Sequence, residues 1–261
     1  MLQRPDSCRP CILDRERVAI GFGLPDGTGS SGVMVTGEAL GEWEANKGEF
    51  FVGPAGFMYN RLLSYVPVKR DTLVTENVIH CRPGPLNKLA GMPYEREAIE
   101  YCPYLQQSIE RFKPRALVAL GAIPLRRLTG SGAKISDVRG YVLQGADGWV
   151  VGTFHPAFII RGLQALSGIV RDDIARALQI ARSGFAYDAE DYILEPSPAD
   201  LRWCYQQILT MSSDTYIDFD IETPNVGRID KADLEDKDDP SYTIIRASLS
   251  WQRGRAVSFP W

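Results

Sequence analysis

Four cysteines are spaced as if to share one cofactor. Cys8 and Cys11 form a C-x-x-C pair near the N-terminus, and Cys81 and Cys102 stand alone, each beside a proline in Cys81-Arg82-Pro83 and Cys102-Pro103. Thiolates are soft ligands, and four of them suit either a tetrahedral zinc or a [4Fe-4S] cluster. A zinc ribbon would normally carry a second C-x-x-C. The long insert between Cys81 and Cys102 instead suits a cluster held by loops and helix starts, so the pattern favours iron-sulfur over zinc. The competing reading is four ordinary buried thiols, since free cysteine is among the most buried residue types. Cys204 has no partner at ligand spacing and reads as a core residue of an amphipathic helix. Two further sets of residues could do chemistry. Carboxylates gather in Gly37-Glu38-Ala39-Leu40-Gly41-Glu42-Trp43-Glu44, and His155, one of two histidines in the chain, stands in Thr153-Phe154-His155-Pro156. Near the C-terminus, Asp220 and Glu222 alternate along an apolar run, which on a strand puts both on one face, able to clamp divalent metal ions. The plainer reading of that pair is an acidic strand edge.

These residues need a scaffold, and the hydrophobic pattern supplies one. The runs 33–36, 73–79, 116–120 and 149–154 read as buried strands, with helical patterns at about 54–65, 95–111, 122–129 and 168–183 between them. Alternation of strand and helix implies an α/β fold, a parallel sheet with helices on both faces. The chemistry-bearing motifs fall just past strand C-termini, where open α/β sheets bind ligands. Gly27-Thr28-Gly29-Ser30-Ser31-Gly32 matches G-x-G-x-x-G but precedes a strand, so it reads as a loop and not as a dinucleotide site. A stretch rich in proline, acid and tyrosine, 188–198, reads as a linker. It separates an α/β domain, 1–187, from a segment, 199–261, with one helix and three strand-like runs, too few elements to close a core.

Charge divides at the same place. Residues 1–187 carry 22 Lys and Arg against 18 Asp and Glu, whereas 188–261 carry 7 against 15, so a mildly basic module precedes an acidic one. The basic front is compatible with phosphate contacts. No run is long and apolar enough to span a membrane, no secretory signal opens the chain, and five cysteines do not make a disulfide framework, which together point to a cytoplasmic protein with no membrane partner.

The combination of the N-terminal C-x-x-C, GEALGEWEANKGEFFVGPAG (37–56), ENVIHCRP (76–83), Tyr101-Cys102-Pro103, Leu120-Gly121 and TFHPA (153–157) resembles the iron-sulfur, family 4 uracil-DNA glycosylases. The likeness runs in order through residues 1–182. It implies an α/β/α sandwich of the uracil-DNA glycosylase type and a [4Fe-4S] cluster on Cys8, Cys11, Cys81 and Cys102. It also implies DNA containing uracil as substrate, and water hydrolysing the N-glycosidic bond to leave an abasic site. No lysine stands in the matched motifs to form a Schiff base, so no lyase step is expected.

The resemblance assigns roles that the residue types can perform. An enzyme acting on a base in DNA must flip it out and hold it by stacking and edge hydrogen bonds. Phe51 would stack on the base, although only one of Phe50 and Phe51 can face it. Asn77 can donate to uracil O4 and accept from N3–H, a pattern that cytosine reverses. His155 would donate to uracil O2 as negative charge builds there. Glu38 and Glu44 would position water or stabilise the sugar cation. Arg161, after the His-Pro, would reach a phosphate. The chain departs from the family pattern at Leu40 and Phe50, where prolines are usual, and at Ala45, where an acid is usual. The segment after Cys81 is one residue longer than the common form, so no role is carried to Asn87.

Tyr216-Ile217-Asp218-Phe219-Asp220-Ile221-Glu222-Thr223 resembles the first motif of the DEDD 3'-5' exonucleases found in family A DNA polymerases. The later carboxylates of such a nuclease do not follow, so 199–261 reads as a partial, inactive RNase H-like segment. The whole then resembles the front of a phage-type polymerase carrying a glycosylase domain, with polymerase domains as partners in cis or in trans. The alternative to a glycosylase is a catalytically weak uracil-binding or DNA-binding module that recruits or pauses a polymerase.

Overall fold

The computed structural model describes residues 1–84, 89–186, 191–193, 196–212, 217–222, 246–252 and 255–260. They fall into two compact units, Met1–Phe185 and Ala186–Trp261. Asn87 and residues 188–190 and 194–195 lie outside the described residues.

In the first unit the strands are β1 (Ala19–Ile20), β2 (Val33–Gly37), β3 (Val74–Asn77), β4 (Arg82–Pro83), β5 (Ala116–Leu120), β6 (Val142–Gly145) and β7 (Gly148–Thr153). The helices are α1 (Ile12–Arg15), α2 (Glu42–Lys47), α3 (Pro54–Leu63), α4 (Glu95–Tyr101), α5 (Tyr104–Phe112), α6 (Ala122–Thr129), α7 (Ile135–Val138), α8 (Pro156–Ile160) and α9 (Ser167–Ser183). The central sheet has the order β3-β2-β5-β7-β6. Its first four strands are parallel, and β6 closes the edge antiparallel to β7. The four expected strands and the mostly parallel sheet are present. The β6 edge was not expected because Val142–Gly145 is short and carries Gln144, so it offers no apolar run to read.

Strand alternation divides the core. Val33, Val35, Ala116, Val118, Leu120 and Val151 face one side, with Tyr59 and Leu62 of α3 and Ile174 and Leu178 of α9. Met34, Val74, Leu117, Ala119 and Val150 face the other, with Leu105 and Ile109 of α5 and Ile123 and Leu125 of α6. A period of two on strands buried on both faces sends successive residues to opposite helical layers. The helix expected across 95–111 is two helices. Cys102, extended at ψ 111°, ends α4, and Pro103 opens α5. A residue before proline avoids the helical region, which makes the break and turns a cysteine out of the helix. The glycine-rich stretch is a loop ahead of β2, with Gly27, Gly29 and Gly32 all at positive φ.

The second unit contains β8 (Asp191–Ile193), α10 (Pro198–Leu209), β9 (Asp218–Glu222), β10 (Arg246–Gln252) and β11 (Arg255–Pro260). They form a sheet of order β8-β11-β10-β9, in which β9, β10 and β11 are antiparallel neighbours and β8 runs parallel to β11. Ser197 caps α10 in a reciprocal capping box with Asp200, and Cys204 is buried in α10 beside Val257. Among the described residues no helix is long and apolar enough to cross a membrane.

Candidate active site

A cavity of about 320 Å³, open to solvent, lies past the C-terminal ends of β2, β3 and β7 and is lined by Ala39, Gly41, Glu42, Trp43, Glu44, Phe51, Pro54, Ala55, Asn77 and His155. Of the residues singled out in the sequence, it brings together Glu44, Phe51, Asn77 and His155. Glu38 and Arg161 are not in its lining.

Phe51 faces this cavity while Phe50 is fully buried, so the aromatic pair divides its work as its adjacency requires. Phe51 sits at φ 55°, the left-handed region that a phenylalanine rarely adopts. Such strain persists only where neighbours over-determine it. Here Arg70 donates to the carbonyl oxygens of both Phe50 (2.8 Å) and Phe51 (3.1 Å), and to Asn60 Oδ1. A Cβ on Gly56 would stand 1.9 Å from the Phe51 carbonyl oxygen, so only glycine lets α3 pack under that peptide. Glu44 completes the loop, with Oε1 accepting from Val52 N (3.1 Å) and Gly53 N (2.8 Å).

Asn77 ends β3 and is buried. Gly37, its neighbour across the parallel ladder, has room for no side chain: a Cβ there would lie 2.4 Å from Asn77 Oδ1 and 2.6 Å from Phe51 Cζ. A single glycine therefore lets the amide and the ring converge. The Asn77 backbone N–H donates to Glu76 Oε1 (2.7 Å), and His80 Nε2 lies 2.6 Å from the same oxygen without being aligned for a hydrogen bond. The Glu76 carboxylate is wholly buried, and its other oxygen has no hydrogen-bond partner. The His80 ring is packed by Phe22, Phe50 and Tyr104. Sequence reading missed this pair, as it missed Arg70. The available signal was a glutamate inside an apolar strand with a histidine four residues on.

His155 caps α8, its Nδ1 accepting from Ala157 N at 3.1 Å. Burial, with the positive charge of Arg161 adding to it, pushes the imidazole down to about 4. It is therefore neutral at pH 7, and because Nδ1 is the acceptor, the proton sits on Nε2. The ring lies 5.9 Å from that of Phe51. Behind it, Thr153 donates to the buried Asp173 (2.6 Å), tying the end of β7 to α9. Burial raises Asp173 against the help of Thr153. Glu38 is raised by burial and by the nearby charge of Glu95, while Leu89 N–H and Arg126 work the other way. Arg161 is exposed, its guanidinium 5.8 Å from the Phe158 ring.

A second, small cavity, of about 20 Å³, gathers Cys8, Cys11, Cys81 and Cys102 with Phe22, Ile79, His80, Tyr101 and Tyr104. Burial raises the Cys11 and Cys81 thiols and pushes Cys102 up to about 11, and the four sulfurs would repel one another once ionised. Such thiols ionise when a cation compensates them, which is the chemistry of a ligand set. Among the described residues no group of three or more His, Cys, Asp or Glu side chains is arranged to hold a single metal ion. Four soft donors gathered around one apolar space are a set that could hold a metal centre.

In the second unit Asp218 and Asp220 alternate along β9 and so share one face of its strand, and Glu222 ends that strand. The side chain of Glu222 lies outside what is described.

The chain matches the uracil DNA glycosylase superfamily over residues 24–179. It is 38% identical over 178 residues to a type-4 uracil-DNA glycosylase of Pyrobaculum aerophilum, covering 65% of this chain and 87% of that protein. A type-4 uracil-DNA glycosylase of Thermotoga maritima is 33% identical over 180 residues, covering 67% and 90%. One of Archaeoglobus fulgidus is 30% identical over 164 residues, covering 59% and 78%.

Proposed function

The chain belongs to the uracil DNA glycosylase superfamily, and from that membership we propose that it is a monofunctional uracil-DNA glycosylase, hydrolysing the N-glycosidic bond of uracil in DNA with water and leaving an abasic site. The observation that carries this is the convergence of Phe51, Asn77 and His155 on one cavity, with His155 held neutral and its proton on Nε2.

A flipped uracil stacks on Phe51, and the Asn77 amide donates to O4 while accepting from N3–H. Cytosine presents the reverse pattern and leaves a buried amide unpaired, a discrimination far larger than shape alone supplies. As the glycosidic bond stretches, negative charge gathers on uracil O2, and the Nε2–H of His155 stabilises it. A neutral donor suits a leaving group that departs as an anion, because no proton must be returned from the ring. Glu44 faces the cavity and is the carboxylate we assign to the attacking water. Glu38, raised by burial, is the other candidate for the same task. Arg161 is assigned to a backbone phosphate.

Cys8, Cys11, Cys81 and Cys102 would hold a [4Fe-4S] cluster, whose part would be to order the loops around Cys81 and Cys102, since hydrolysis needs no electron from it. Residues 1–187 are the proposed glycosylase domain. The stretch 188–198, expected as a linker, contributes β8 to the second unit's sheet and the cap of α10. Residues 199–261 are the proposed exonuclease-like segment. The last assignment is supported by the antiparallel order of β9, β10 and β11 and by Asp220 and Glu222 on β9, a start that suits an RNase H-like nuclease joined to polymerase domains in cis or met in trans.

The test is release of uracil from a labelled oligonucleotide with one uracil, in excess EDTA, followed by alkali, with a cytosine oligonucleotide as control. A product band only at uracil is expected. Binding without a band would leave the uracil-sensing module, and a ladder that EDTA abolishes would indicate nuclease action instead.

A further inference from the structure

The solvent face of α3 carries an aromatic and basic series that the cavity does not use. Phe57, Arg61 and Tyr65 follow one another at intervals of four residues, on one side of the helix and its last turn, and all are exposed. At the near end Trp43, which lines the base cavity, meets Phe57 edge to face with centroids 6.1 Å apart, and the two are 51% and 59% exposed. At the far end Arg171 of α9 lies 5.1 Å over the ring of Tyr65, itself 64% exposed. There a separate cavity of about 320 Å³ is lined by Met58, Arg61, Tyr65, Gln164, Ser167 and Arg171, among others. Among the described residues neither Arg61 nor Arg171 has an ion-pair partner, and Arg171 Nε is buried with no hydrogen-bond acceptor.

We propose that this face is a binding track for single-stranded DNA flanking the flipped nucleotide, with bases stacked on Trp43 and Tyr65 and a backbone phosphate held between Arg61 and Arg171. The reading deepens the proposed glycosylase function and rests on it for the identity of the strand. Exposed aromatics interleaved with cations are the means by which proteins hold single strands without reading sequence, because every base has a face to stack and every linkage a charge. Continuity supports it, since Trp43 belongs both to the base cavity and to the track. Length agrees: eight residues of helix from Phe57 to Tyr65 span about 12 Å, the rise of roughly three or four stacked nucleotides. A duplex would hide the base faces that Trp43 and Tyr65 offer to cover.

The test measures binding of a fluorescent thymidine dodecamer, single-stranded or paired to its complement, across a salt series. It also measures uracil release from a trinucleotide and from a dodecamer. In Arg61→Ala/Arg171→Ala, single-strand affinity should fall about tenfold, and the slope of log K against log salt should become shallower by about 0.7, the value for one phosphate on a single strand. In Tyr65→Ala affinity should fall about tenfold with the slope unchanged. Trinucleotide excision should stay at the wild-type rate in both. Arg61→Glu, at an exposed position, keeps the test decisive if the double variant melts early. Unchanged affinity and slope, or a loss confined to the duplex, would overturn the track. If the wild-type protein releases no uracil but dodecamer binding responds as expected, the glycosylase reading fails and the track stands. If uracil is released and binding ignores all three variants, the track fails alone.

Discussion

The two cavities of the first unit are built on opposite plans. The base cavity is held by hydrogen bonds that are complete without a ligand: Arg70 on two carbonyls, Glu44 on two N–H groups, Ala157 N–H on His155. The cysteine cavity is apolar and is assembled from four cysteines, of which Cys11, Cys81 and Cys102 have thiols raised by burial. One is preorganised by its own backbone, as differential binding of a transition state requires. The other would rely on the proposed cluster for order, as metal sites coupled to folding do. The first should fail by losing turnover, the second by losing structure.

The widest separation is expected from Cys81→Ser or Cys102→Ser. Iron content, the melting temperature and protection of the 1–20 and 81–104 backbone amides from hydrogen exchange should all fall, and activity with them. A variant that keeps full stability without iron would break the contrast. His155→Ala should do the reverse: stability falls by no more than the loss of a helix cap, about 1 kcal/mol, while kcat drops by about 10²- to 10³-fold in single-turnover excision.

Gly37→Ala probes how closely the base readers must converge, since its Cβ would meet both Asn77 Oδ1 and Phe51 Cζ. Uracil release should fall about tenfold or more, at about 1.4 kcal/mol per factor of ten, and the preference for uracil over cytosine should narrow. Retention of both would show that Asn77 and Phe51 do not act as a fixed pair. Glu44→Gln keeps an oxygen for Val52 N–H and Gly53 N–H but removes the charge. If Glu44 positions the water, kcat falls while KM and stability hold; if it only clamps the loop, kcat stays.

The smallest effect concerns pH. An imidazole with a folded value of about 4 against an ordinary 6.5 binds fewer protons folded than unfolded between those limits. Its stabilising contribution is therefore complete above 6.5 and lost as pH falls toward 4. The rate should show no histidine step near pH 6 to 7 and should decline only as pH approaches 4. A step near 6.5 abolished by His155→Ala would show the ring to be solvated and ordinary.

Much was legible before any coordinates. Strand and helix order in the first unit followed from hydrophobic period, because strands buried on both faces must be apolar throughout. The cysteine set and the motifs at 37–56, 76–83 and 153–157 stood out because their residue types have few other uses at that spacing. What the chain order could not convey was convergence. That Gly37 clears space for Asn77 and Phe51, that Gly56 lies under a strained carbonyl, and that Arg70 ties down a loop twenty residues away are facts of three-dimensional proximity. The protonation state of His155 is of the same kind, since burial and a single N–H set it, and neither is a property of histidine in the chain. Sequence determined which groups were available and which elements would carry them. Tertiary packing decided which carboxylate reaches the cavity, which phenylalanine faces a base and which arginines remain unpaired, because those depend on how layers close over one another and not on order along the backbone.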